Sequence, residues 1–475
     1  MADFDVAIIG GGPGGYVAAI RASQLGLSVA LFERDRVGGL CLNWGCIPSK
    51  AILKNADVVN LVRDAQKWGI AVTNPQFDFG AAVDRSRKVA EQLVGGVETL
   101  LAEAGVKVIS GSATLKDRNT VLGDGTSYTA DNIIIATGAS ARSLPGIPID
   151  GTTVVTSREA LAIRTAPKRA VIIGGGPIGV EFAHAWASYG SEVTIVELLE
   201  TLAPLEDQDS GRALKRAFDL RGIRSLLKAR VESVAVEKGI ARVTISGESG
   251  AETLEADRVL VAVGFVPHTQ GLNLEGLGIA TQRGFIEIDD AMQTNVAGVY
   301  AVGDVTGKLM LAHVASQQGV IAAERIAGHA TAALDYIQMP RATFCQPQVG
   351  SIGYTEKGAK EAGFTVKTGR FPFTALGKAI AVGETEGFIK VVADAPTGQV
   401  LGIHMVGHDV NELLGEASMV ALLEATTIEL GFAVHAHPTL GEALKEAALA
   451  ADGQAIHMVQ RKRTKAATPQ GAAAP

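Results

Sequence analysis

The fold is decided by the stretch at residues 5–15, Asp5-Val-Ala-Ile-Ile-Gly10-Gly-Gly12-Pro-Gly-Gly15. The short apolar run that Gly10 ends predicts a buried parallel strand. Gly10 permits a tight turn, Gly12 lets backbone N–H groups approach a pyrophosphate, and Gly15 lets the next helix pack closely on the strand. The stretch therefore predicts the strand-to-helix turn of a dinucleotide-binding unit, with phosphate at the helix N-terminus.

The residues that follow complete a strand–helix–strand unit. Tyr16–Leu25 have helical periodicity, and Ser28–Glu33 has the pattern of a second strand that ends in an acid. Glu33 lies where an acid can accept hydrogen bonds from ribose hydroxyls. A lone glycine motif is weak evidence, whereas motif, helix, strand and acid together are much more specific.

The same construction recurs in the middle of the chain. Its parts are a strand at Arg169–Gly174, the loop Gly174-Gly-Gly176-Pro-Ile-Gly179, a helix at Val180–Tyr189, a strand at Val193–Val196 and the acid Glu197. The distance from the first glycine of the loop to the acid is 23 positions in both copies. We therefore predict two dinucleotide sites; the alternative is one working site and one structural relic.

The second acid favours NAD over NADP. Glu197 would repel a 2′-phosphate, and Leu198–Pro204 contains no Arg or Lys to hold one.

Two cysteines follow the first unit closely. The segment Cys41-Leu-Asn-Trp-Gly-Cys46 begins eight residues after Glu33, and Cys345 is the third cysteine of the chain. Three cysteines are too few for a disulfide framework, and the first residues lack a secretory-signal pattern, so we expect a cytoplasmic location. There a close pair is more often catalytic or metal-binding than structural. The second ligand pair of a zinc site is not found near Cys46, and no metal site is predicted.

Spacing alone leaves redox chemistry and buried free thiols open as interpretations of the cysteine pair. The neighbouring dinucleotide units favour a relay, in which a nicotinamide exchanges a hydride with a flavin and the flavin exchanges electrons with a disulfide. The cofactors would carry the difficult chemistry while the protein orients them.

Size and charge exclude several classes of function. At 475 residues the chain should hold two to four domains of an α/β protein. With a net charge of −7 and no basic stripe with interleaved aromatics, nucleic acid is not an expected partner. No apolar run approaches the roughly 18–20 residues of a membrane span. The basic cluster Arg461–Lys465 is interpreted as a solvated terminus, and residues 456–475 as a disordered tail.

Several motifs together resemble the flavoprotein disulfide reductases, the class I pyridine nucleotide-disulfide oxidoreductases, from about Asp5 to about Ala450. Gly38–Lys50 looks like their redox-disulfide signature, and its Cys-Ile-Pro-Ser-Lys ending is most similar to that of the dihydrolipoamide dehydrogenases. The other motifs fall in the family's order; they are Ala136–Gly138, Thr294–Asp304, Met310–His313 and His435–Glu442.

The resemblance implies two Rossmann-like domains, one for FAD and one for NAD, and a C-terminal α+β dimerisation domain. The expected boundaries are residues 1–147 for the FAD domain, 148–267 for the NAD domain, 268–340 for a return to the FAD domain and 341–455 for the interface domain. Within the interface domain, Gly387–Ala393 and Val400–Val406 are predicted to form a hairpin, and Glu412–Glu424 a helix.

Catalytic roles follow from the resemblance. Cys41 is implied to exchange with the dithiol substrate, and Cys46 to lie beside the flavin as the charge-transfer thiolate. Lys50 is implied to lie near flavin N5 and to pair with Glu181.

His437 is implied to be the base, with Glu442 as its partner. A dithiol reacts as its thiolate, and a histidine with a pKa near 6.5 suits the removal of that proton. In the family this histidine reaches the disulfide of the other subunit, which implies a homodimer with shared active sites and a separate lipoylated carrier protein as substrate. His435 and Cys345 are interpreted as structural.

Cofactor-binding roles carry over in the same way. Asp304 is implied to bind the flavin ribitol, Ala312 the pyrophosphate side, and the backbone of Ala113 the adenine. The FAD set is Gly10, Gly12, Pro13, Gly14, Gly15, Glu33, Arg34, Gly39, Lys50, Ala113, Thr137, Gly138, Asp304, Met310, Leu311 and Ala312. The NAD set is Gly174, Gly176, Ile178, Gly179, Glu197, Val231 and Gly264.

Three positions depart from the family's pattern. Trp44 stands where smaller residues are common, so it is either a core residue or one that reshapes the approach of the dithiol. Phe265 stands where Arg is frequent, beside the nicotinamide pocket, and Gln348 replaces a common Glu. The main prediction is oxidation of a protein-bound dihydrolipoyl group with reduction of NAD. The alternatives are a related NAD(P)H-dependent disulfide reductase and a non-catalytic, flavin-bearing subunit of a larger assembly.

Overall fold

The computed structural model describes residues 2–248 and 250–459. The predicted disordered tail at 456–475 was wrong for residues 456–459, which are described and where the backbone N–H groups of Ile456 and His457 are bonded to Glu446. The predicted basic cluster at 461–465 and the rest of that tail lie outside the described residues. The chain divides into two compact units. Unit 1 comprises Met1–Leu205 and Leu214–Met339, and unit 2 comprises Glu206–Ala213 and Pro340–Pro475.

Unit 1 contains most of the strands. They are β1 (Phe4–Ile9), β2 (Val29–Glu33), β3 (Lys107–Ser110), β4 (Ala113–Asp117), β5 (Thr120–Gly123), β6 (Thr126–Ile135), β7 (Ala139–Ala141), β8 (Val154–Val155), β9 (Arg169–Ile173), β10 (Glu192–Val196), β11 (Arg224–Leu226), β12 (Ala229–Glu237), β13 (Ile240–Gly247), β14 (Gly250–Ala256), β15 (Arg258–Val261), β16 (Phe265–Pro267), β17 (Thr281–Gln282), β18 (Phe285–Ile286) and β19 (Val299–Ala301).

The helices of unit 1 lie mostly between these strands. They are α1 (Pro13–Gln24), α2 (Gly39–Trp44), α3 (Cys46–Arg63), α4 (Phe79–Glu103), α5 (Ser157–Ala160), α6 (Pro177–Ser188) and, after α7, α8 (Ala312–Ile326). Helix α7 (Gln208–Leu220) begins among the residues of unit 2 and ends among those of unit 1.

Unit 1 contains two sheets whose central strands run parallel. In the first, β3, β2, β1 and β6 lie side by side in parallel, and β19 pairs with β6. In the second, the parallel order is β11-β10-β9-β15-β8. The central strands β1 and β9 are buried along most of their length, which explains their continuous apolar sequence. Each glycine loop therefore lies at the carboxyl end of a central strand, where parallel sheets bind ligands.

Unit 2 is an antiparallel sheet with helices. Its strands are β20 (Arg341–Thr343), β21 (Gln348–Gly353), β22 (Val366–Pro372), β23 (Phe388–Asp394) and β24 (Val400–Gly407), in the order β20-β21-β24-β23-β22. Its helices, besides the start of α7, are α9 (Glu356–Glu361), α10 (Gly377–Ala381), α11 (Leu414–Leu422), α12 (Thr427–Phe432) and α13 (Glu442–Ala451).

Helix α13 packs on β22 and β23 and places a run of alanines and Leu444 in the core. The end of α11, α12 and the residues after it instead leave large apolar side chains exposed. Leu422, Phe432 and Val434 are 75%, 84% and 93% exposed. Contiguous exposed apolar side chains are typical of a surface that another protein chain covers.

The predicted elements are confirmed with small shifts and one correction. The two fold-deciding helices begin at Pro13 and Pro177, three residues before the predicted starts, because proline is accepted at the first helical position. The predicted hairpin is present as β23 and β24. The helix predicted over Glu412–Glu424 is confirmed with corrected bounds: a 3₁₀ turn at Val410–Leu413 precedes α11, which ends at Leu422. None of the helices among the described residues is both long and apolar enough to span a membrane.

Candidate active site

A cavity of about 590 Å³ in unit 1 gathers the main motifs of the sequence. Its lining combines the first glycine loop, the cysteine segment, the loop after β6 and the segment before α8. Predicted site residues in the lining are Gly10, Gly12, Pro13, Gly14, Glu33, Arg34, Gly39, Cys41, Cys46, Lys50, Thr137, Gly138, Ile178, Glu181, Asp304, Met310 and Ala312. Predicted site residues of unit 1 outside this lining are Gly15, Ala113, Gly174, Gly176, Gly179, Glu197, Val231, Gly264 and Leu311.

The two glycine loops have the same steric requirements. At Gly10 the backbone has φ +106°, and a Cβ there would lie 2.3 Å from the carbonyl oxygen of Ala136. At Gly174 φ is +109°, and a Cβ would lie 2.4 Å from the oxygen of Ala262. A Cβ on Gly12 would have nothing nearer than 3.9 Å. The loop is therefore closed towards its own sheet and open on the side where a pyrophosphate would approach the N-terminus of α1.

The two acids brace these loops, a role that the sequence prediction missed. Glu33 accepts the N–H of Gly11 at 2.7 Å and of Asp35 at 2.8 Å, one on each carboxylate oxygen. Glu197 accepts the N–H of Gly175 at 2.6 Å and of Leu199 at 2.8 Å. Each carboxylate oxygen has a further lone pair, so bracing the loop and accepting a ribose hydroxyl are compatible.

Asp304 lies in a 3₁₀ turn at Gly303–Thr306, within the cavity lining. Burial raises the pKa of Asp304 to about 6. Within the described part of the chain, its carboxylate has no hydrogen-bond partner. A partly buried acceptor of this kind fits the hydroxyl donors of a bound ligand.

The cysteines lie on two consecutive helices. Cys41 lies within α2, and Cys46 is the first residue of α3, where the helix dipole favours a thiolate. Both are free thiols. The hydrogen bond with Cys41 and the charge of Lys50 outweigh desolvation and lower the pKa of Cys46 to about 7. The same hydrogen bond, together with burial, raises the pKa of Cys41 far above its usual range. The first thiolate to form is therefore that of Cys46.

Lys50 and Glu181 form an ion pair beside the cysteines. Lys50 Nζ lies 2.9 Å from both carboxylate oxygens of Glu181, whose side chain is 8% exposed. Desolvation works against the charged lysine, but Glu181 outweighs it and raises the pKa of Lys50. The pair therefore keeps a positive charge next to Cys46.

Trp44 contacts two arginines and is only partly buried, so it is not a core residue. The guanidinium of Arg87, on α4, lies 4.5 Å from the ring centroid, and that of Arg158, on α5, lies 4.9 Å away. Arg87 also donates to the carbonyl of Asn43 at 2.6 Å, and Arg158 pairs with Asp35 at 3.6 Å. Both arginines are far from Trp44 in sequence, so no local pattern could have indicated the stack. Trp44, Arg158 and Phe265 line the cavity.

Unit 2 holds the histidine motif. His437 Nδ1 lies 2.8 Å from Glu442 Oε1, and Glu442 Oε2 accepts the backbone N–H of Thr439 at 2.9 Å. Because a carboxylate only accepts, Nδ1 carries the proton and Nε2 is left as the basic nitrogen. His437 is 76% exposed. The arrangement presents a proton acceptor at the surface, held in one orientation.

The remaining residues singled out from the sequence also lie in unit 2, His435 and Cys345 in loops and Gln348 at the start of β21. His435 is 10% exposed and contacts Glu416 at 2.8 Å. Cys345 is fully buried, with its sulfur 3.3 Å from the carbonyl of Pro347. Gln348 accepts the backbone N–H of Asn411 at 3.2 Å.

Two charged groups of unit 2 were missed. Lys390 is 4% exposed and pairs at 2.8–3.0 Å with Asp207, Asp209 and Glu356. A further histidine–glutamate pair joins His457 to Glu446. Lys390 stands within the continuous apolar run of β23, so the strand pattern did not single it out, and His457 lies outside every motif that the resemblance supplied.

Two family models match the chain. That of the pyridine nucleotide-disulphide oxidoreductases matches residues 4–319, and that of their dimerisation domain matches residues 339–448.

Curated relatives and solved structures extend over nearly the whole chain. The dihydrolipoyl dehydrogenase of Mycobacterium tuberculosis is 48% identical over 454 residues, 94% of this chain and 97% of its own. That of Chlorobaculum tepidum is 45% identical over 453 residues, with the same coverage. The crystal structure of LpdA from Mycobacterium tuberculosis has a TM-score of 0.87 at 29% identity, covering 93% of this chain and 98% of that chain. The HOCl-induced flavoprotein disulfide reductase RclA of Escherichia coli has a TM-score of 0.83 at 29% identity, covering 94% and 99%.

Proposed function

The chain belongs to the pyridine nucleotide-disulphide oxidoreductase family, and we propose that it acts as a dihydrolipoyl dehydrogenase on a lipoylated carrier protein. It is an enzyme whose cofactors are FAD and NAD, and its dimerisation domain makes it a homodimer. The substrate proposal rests on relatives of that name at 45–48% identity over nearly the full chain. The proposed location is the cytoplasm, where a reducing environment suits a cysteine pair that cycles.

The observation that carries the proposal is the asymmetric cysteine pair beside the dinucleotide cavity. Cys46 is the thiolate-forming member, held between the N-terminus of α3 and Lys50, whereas Cys41 retains its proton. An asymmetric pair has one member suited to exchange with a substrate thiol and one suited to leave as a thiolate. We assign exchange to Cys41 and the leaving, cofactor-side role to Cys46.

The proposed dithiol half-reaction balances as a thiol–disulfide exchange. The partner subunit's His437 takes the proton of one substrate thiol at Nε2, and the resulting thiolate attacks Cys41 Sγ in the oxidised enzyme. The Cys41–Cys46 bond breaks, and Cys46 leaves as a thiolate beside Lys50. The second substrate thiol then attacks the first substrate sulfur in the mixed disulfide with Cys41, which closes the lipoyl ring. Cys41 leaves and takes up the proton of the second thiol, so it is released as a thiol. The enzyme disulfide has gained two electrons, and the substrate has lost two.

The residues of the cavity fit FAD. When bound, FAD supplies the two-electron transfer that links the dithiol to NAD. We propose that Gly12 and the N-terminus of α1 receive its pyrophosphate, that Asp304 accepts hydroxyl hydrogen bonds from its ribitol, and that Lys50 orients its reactive ring. Glu33 and Ala113 are proposed to serve its adenosine end. The second loop, with Glu197 at its edge, is proposed for NAD.

We also propose a domain division at residues 1–147, 148–267, 268–340 and 341–455. Its support is the composition of the sheets. The strands of the first parallel sheet come from residues 4–135 and 299–301, those of the second from 154–261, and those of the antiparallel sheet from 341–407.

Steady-state reduction of NAD by dihydrolipoamide tests the function. We expect turnover with free dihydrolipoamide, with a larger kcat/KM for the lipoylated carrier it serves, and with NAD preferred to NADP. Turnover with carrier alone would identify a specialised partner. Activity with other disulfides and none with any dihydrolipoyl substrate would instead identify a related disulfide reductase, the second function that the structural similarity to RclA allows.

A further inference from the structure

Glu446, one turn beyond Glu442 on α13, forms a further histidine–glutamate pair with His457, which follows the helix. His457 Nδ1 lies 2.8 Å from Glu446 Oε1. Glu446 Oε2 accepts the backbone N–H groups of Ile456 and His457 at 3.0 and 3.2 Å. The side chain of Glu446 is 5% exposed and that of His457 is 71% exposed. A buried, anchored carboxylate therefore holds an imidazole at the surface.

This pair repeats the construction of the His437–Glu442 pair. In each, one carboxylate oxygen holds histidine Nδ1 at 2.8 Å and the other accepts backbone N–H groups. In each, the histidine is more than two-thirds exposed. His457 lies beyond residues 339–448, where the dimerisation-domain family model matches, and the mechanism proposed above does not use it.

The two pairs are electrostatic neighbours. Glu442 and Glu446 are four positions apart on α13, so they share one face of the helix at a spacing of about 6 Å. Burial raises the pKa of Glu442, but hydrogen bonds from His437 and Thr439 and the charges of His437 and His457 outweigh it, so the pKa lies below its usual value. A charge on the His457–Glu446 pair therefore acts on the catalytic pair.

Other charged groups around α13 have partners elsewhere. Helix α13 packs against β22, β23 and α12. On β22, Lys367 pairs with Asp452 and Arg370 stacks on Phe388. On β23, Lys390 pairs with Asp207, Asp209 and Glu356, and Asp394 accepts a hydrogen bond from Thr397. On α12, Glu429 accepts a hydrogen bond from Thr426. The remaining ionisable group on α13 is Lys445, a partly exposed side chain between the two glutamates.

We propose that His457, held by Glu446, is a positioning residue for the proton transfer at His437. When His457 is protonated, its charge neutralises Glu446, so Glu442 alone acts on His437. Without that charge, two carboxylates of α13 would favour the protonated form of His437, which cannot accept a substrate proton. His457 thereby extends the working range of the base towards lower pH. The inference rests on the dithiol half-reaction proposed above.

The test is the pH profile of the dithiol half-reaction. Anaerobic stopped-flow mixing of oxidised holoenzyme with dihydrolipoamide, from about pH 5.5 to about pH 8.5, gives the midpoint at which the rate rises as the base loses its proton. In His457→Gln we expect this midpoint to move up by about half a pH unit, the order of effect of one unit charge on the neighbouring helical turn through a mostly aqueous path. The plateau rate at high pH should stay within about twofold of the wild-type rate, because His437 itself is intact.

Two further variants separate charge from structure. His457→Lys keeps a positive charge beside Glu446, so its midpoint should equal the wild-type value or lie below it. His408→Gln removes another histidine of unit 2, which pairs with Asp409 at 3.1 Å, and should leave the midpoint unchanged.

The outcomes are distinct. An unmoved or lowered midpoint in His457→Gln overturns the inference, as does a rate loss of equal size at every pH. An upward shift that also occurs in His457→Lys shows a structural effect and overturns it as well. If dihydrolipoamide does not reduce the wild-type enzyme, the proposed function fails first and the inference falls with it. If it does so with a normal pH profile in all variants, only the inference fails.

Discussion

Two base–carboxylate pairs of the proposed reaction differ in exposure. Lys50 contacts both oxygens of Glu181 at 2.9 Å; the lysine side chain is 33% exposed and the glutamate side chain 8%. His437 contacts one oxygen of Glu442 at 2.8 Å and is 76% exposed. A buried pair holds a fixed charge, because separating it would leave an uncompensated ion. An exposed histidine can gain and lose a proton near neutral pH. The first pair is suited to holding a positive charge beside Cys46, and the second to accepting a proton from the substrate.

The largest expected effect comes from breaking the exposed pair. His437→Ala should slow reduction of the enzyme by dihydrolipoamide by about 10²–10⁴-fold, because the substrate thiol loses its proton acceptor. Reduction of the flavin by NADH should be unaffected, since that step needs no proton from the thiol. Stopped-flow measurement of the two half-reactions separates the effects.

His408→Ala is the matched control for this variant, as a partly exposed histidine of unit 2 paired with Asp409. It should slow neither half-reaction. If His437→Ala slowed both halves equally, the division of labour between the two pairs would be wrong.

The fixed charge beside Cys46 should be visible in a pH titration. Partial reduction should produce a long-wavelength absorbance from the Cys46 thiolate next to the flavin. Since the pKa of Cys46 is about 7, the thiolate and its absorbance should be present above that pH and fade as the pH falls through it. An absorbance that is absent at pH 9 in protein with both cysteines intact would contradict the assignment of Cys46 as the cofactor-side thiol.

A smaller change is expected when the buried pair loses its carboxylate. Glu181 raises the pKa of Cys46 through its negative charge. It also contacts Lys50, and so offsets part of the positive charge that lowers this pKa. Glu181→Gln removes both effects, so the absorbance midpoint should move down by about 0.5–1 pH unit. Glu192→Gln, on an exposed residue of β10, should leave the midpoint where it is. An upward shift in Glu181→Gln would show that Lys50 loses its proton when its partner is removed.

Much of the fold could be predicted from the sequence, because local constraints decide it. A turn with φ near +106° and no room for a Cβ admits little besides glycine at Gly10, and Gly174 repeats the requirement. The apolar runs of β1 and β9 are buried because parallel strands are covered on both faces. The bounds of the helix predicted over Glu412–Glu424 shifted because a 3₁₀ turn and the α-helix after it have similar periodicity over a few residues.

The site was less predictable where its contacts span the sequence. Cys41, Cys46 and His437 carry recognisable local motifs. Glu33 and Glu197 were expected to meet ribose, but nothing in the pattern reveals that both also brace the glycine loops. His457 and the arginines around Trp44 have no signature, because their contacts depend on how distant elements pack.

The smallest expected effect concerns Trp44, which lies between the cysteines without belonging to either pair. Arg87 and Arg158 lie over its ring at 4.5 and 4.9 Å. Such contacts contribute about 0.5–1 kcal/mol each at exposed sites. Trp44→Val should therefore lower the free energy of unfolding by about 1–2 kcal/mol, measured by urea denaturation. Because the ring also lines the cavity beside Cys41, KM for small dithiols should change by about two- to fivefold, the effect of roughly 0.4–1 kcal/mol of binding energy. Trp44→Phe keeps an aromatic face for both arginines and should retain most of the stability. If every dithiol gives unchanged kcat and KM in Trp44→Val while stability falls, Trp44 supports the cysteine segment without shaping the substrate's approach, and the buried and exposed pairs alone determine the chemistry.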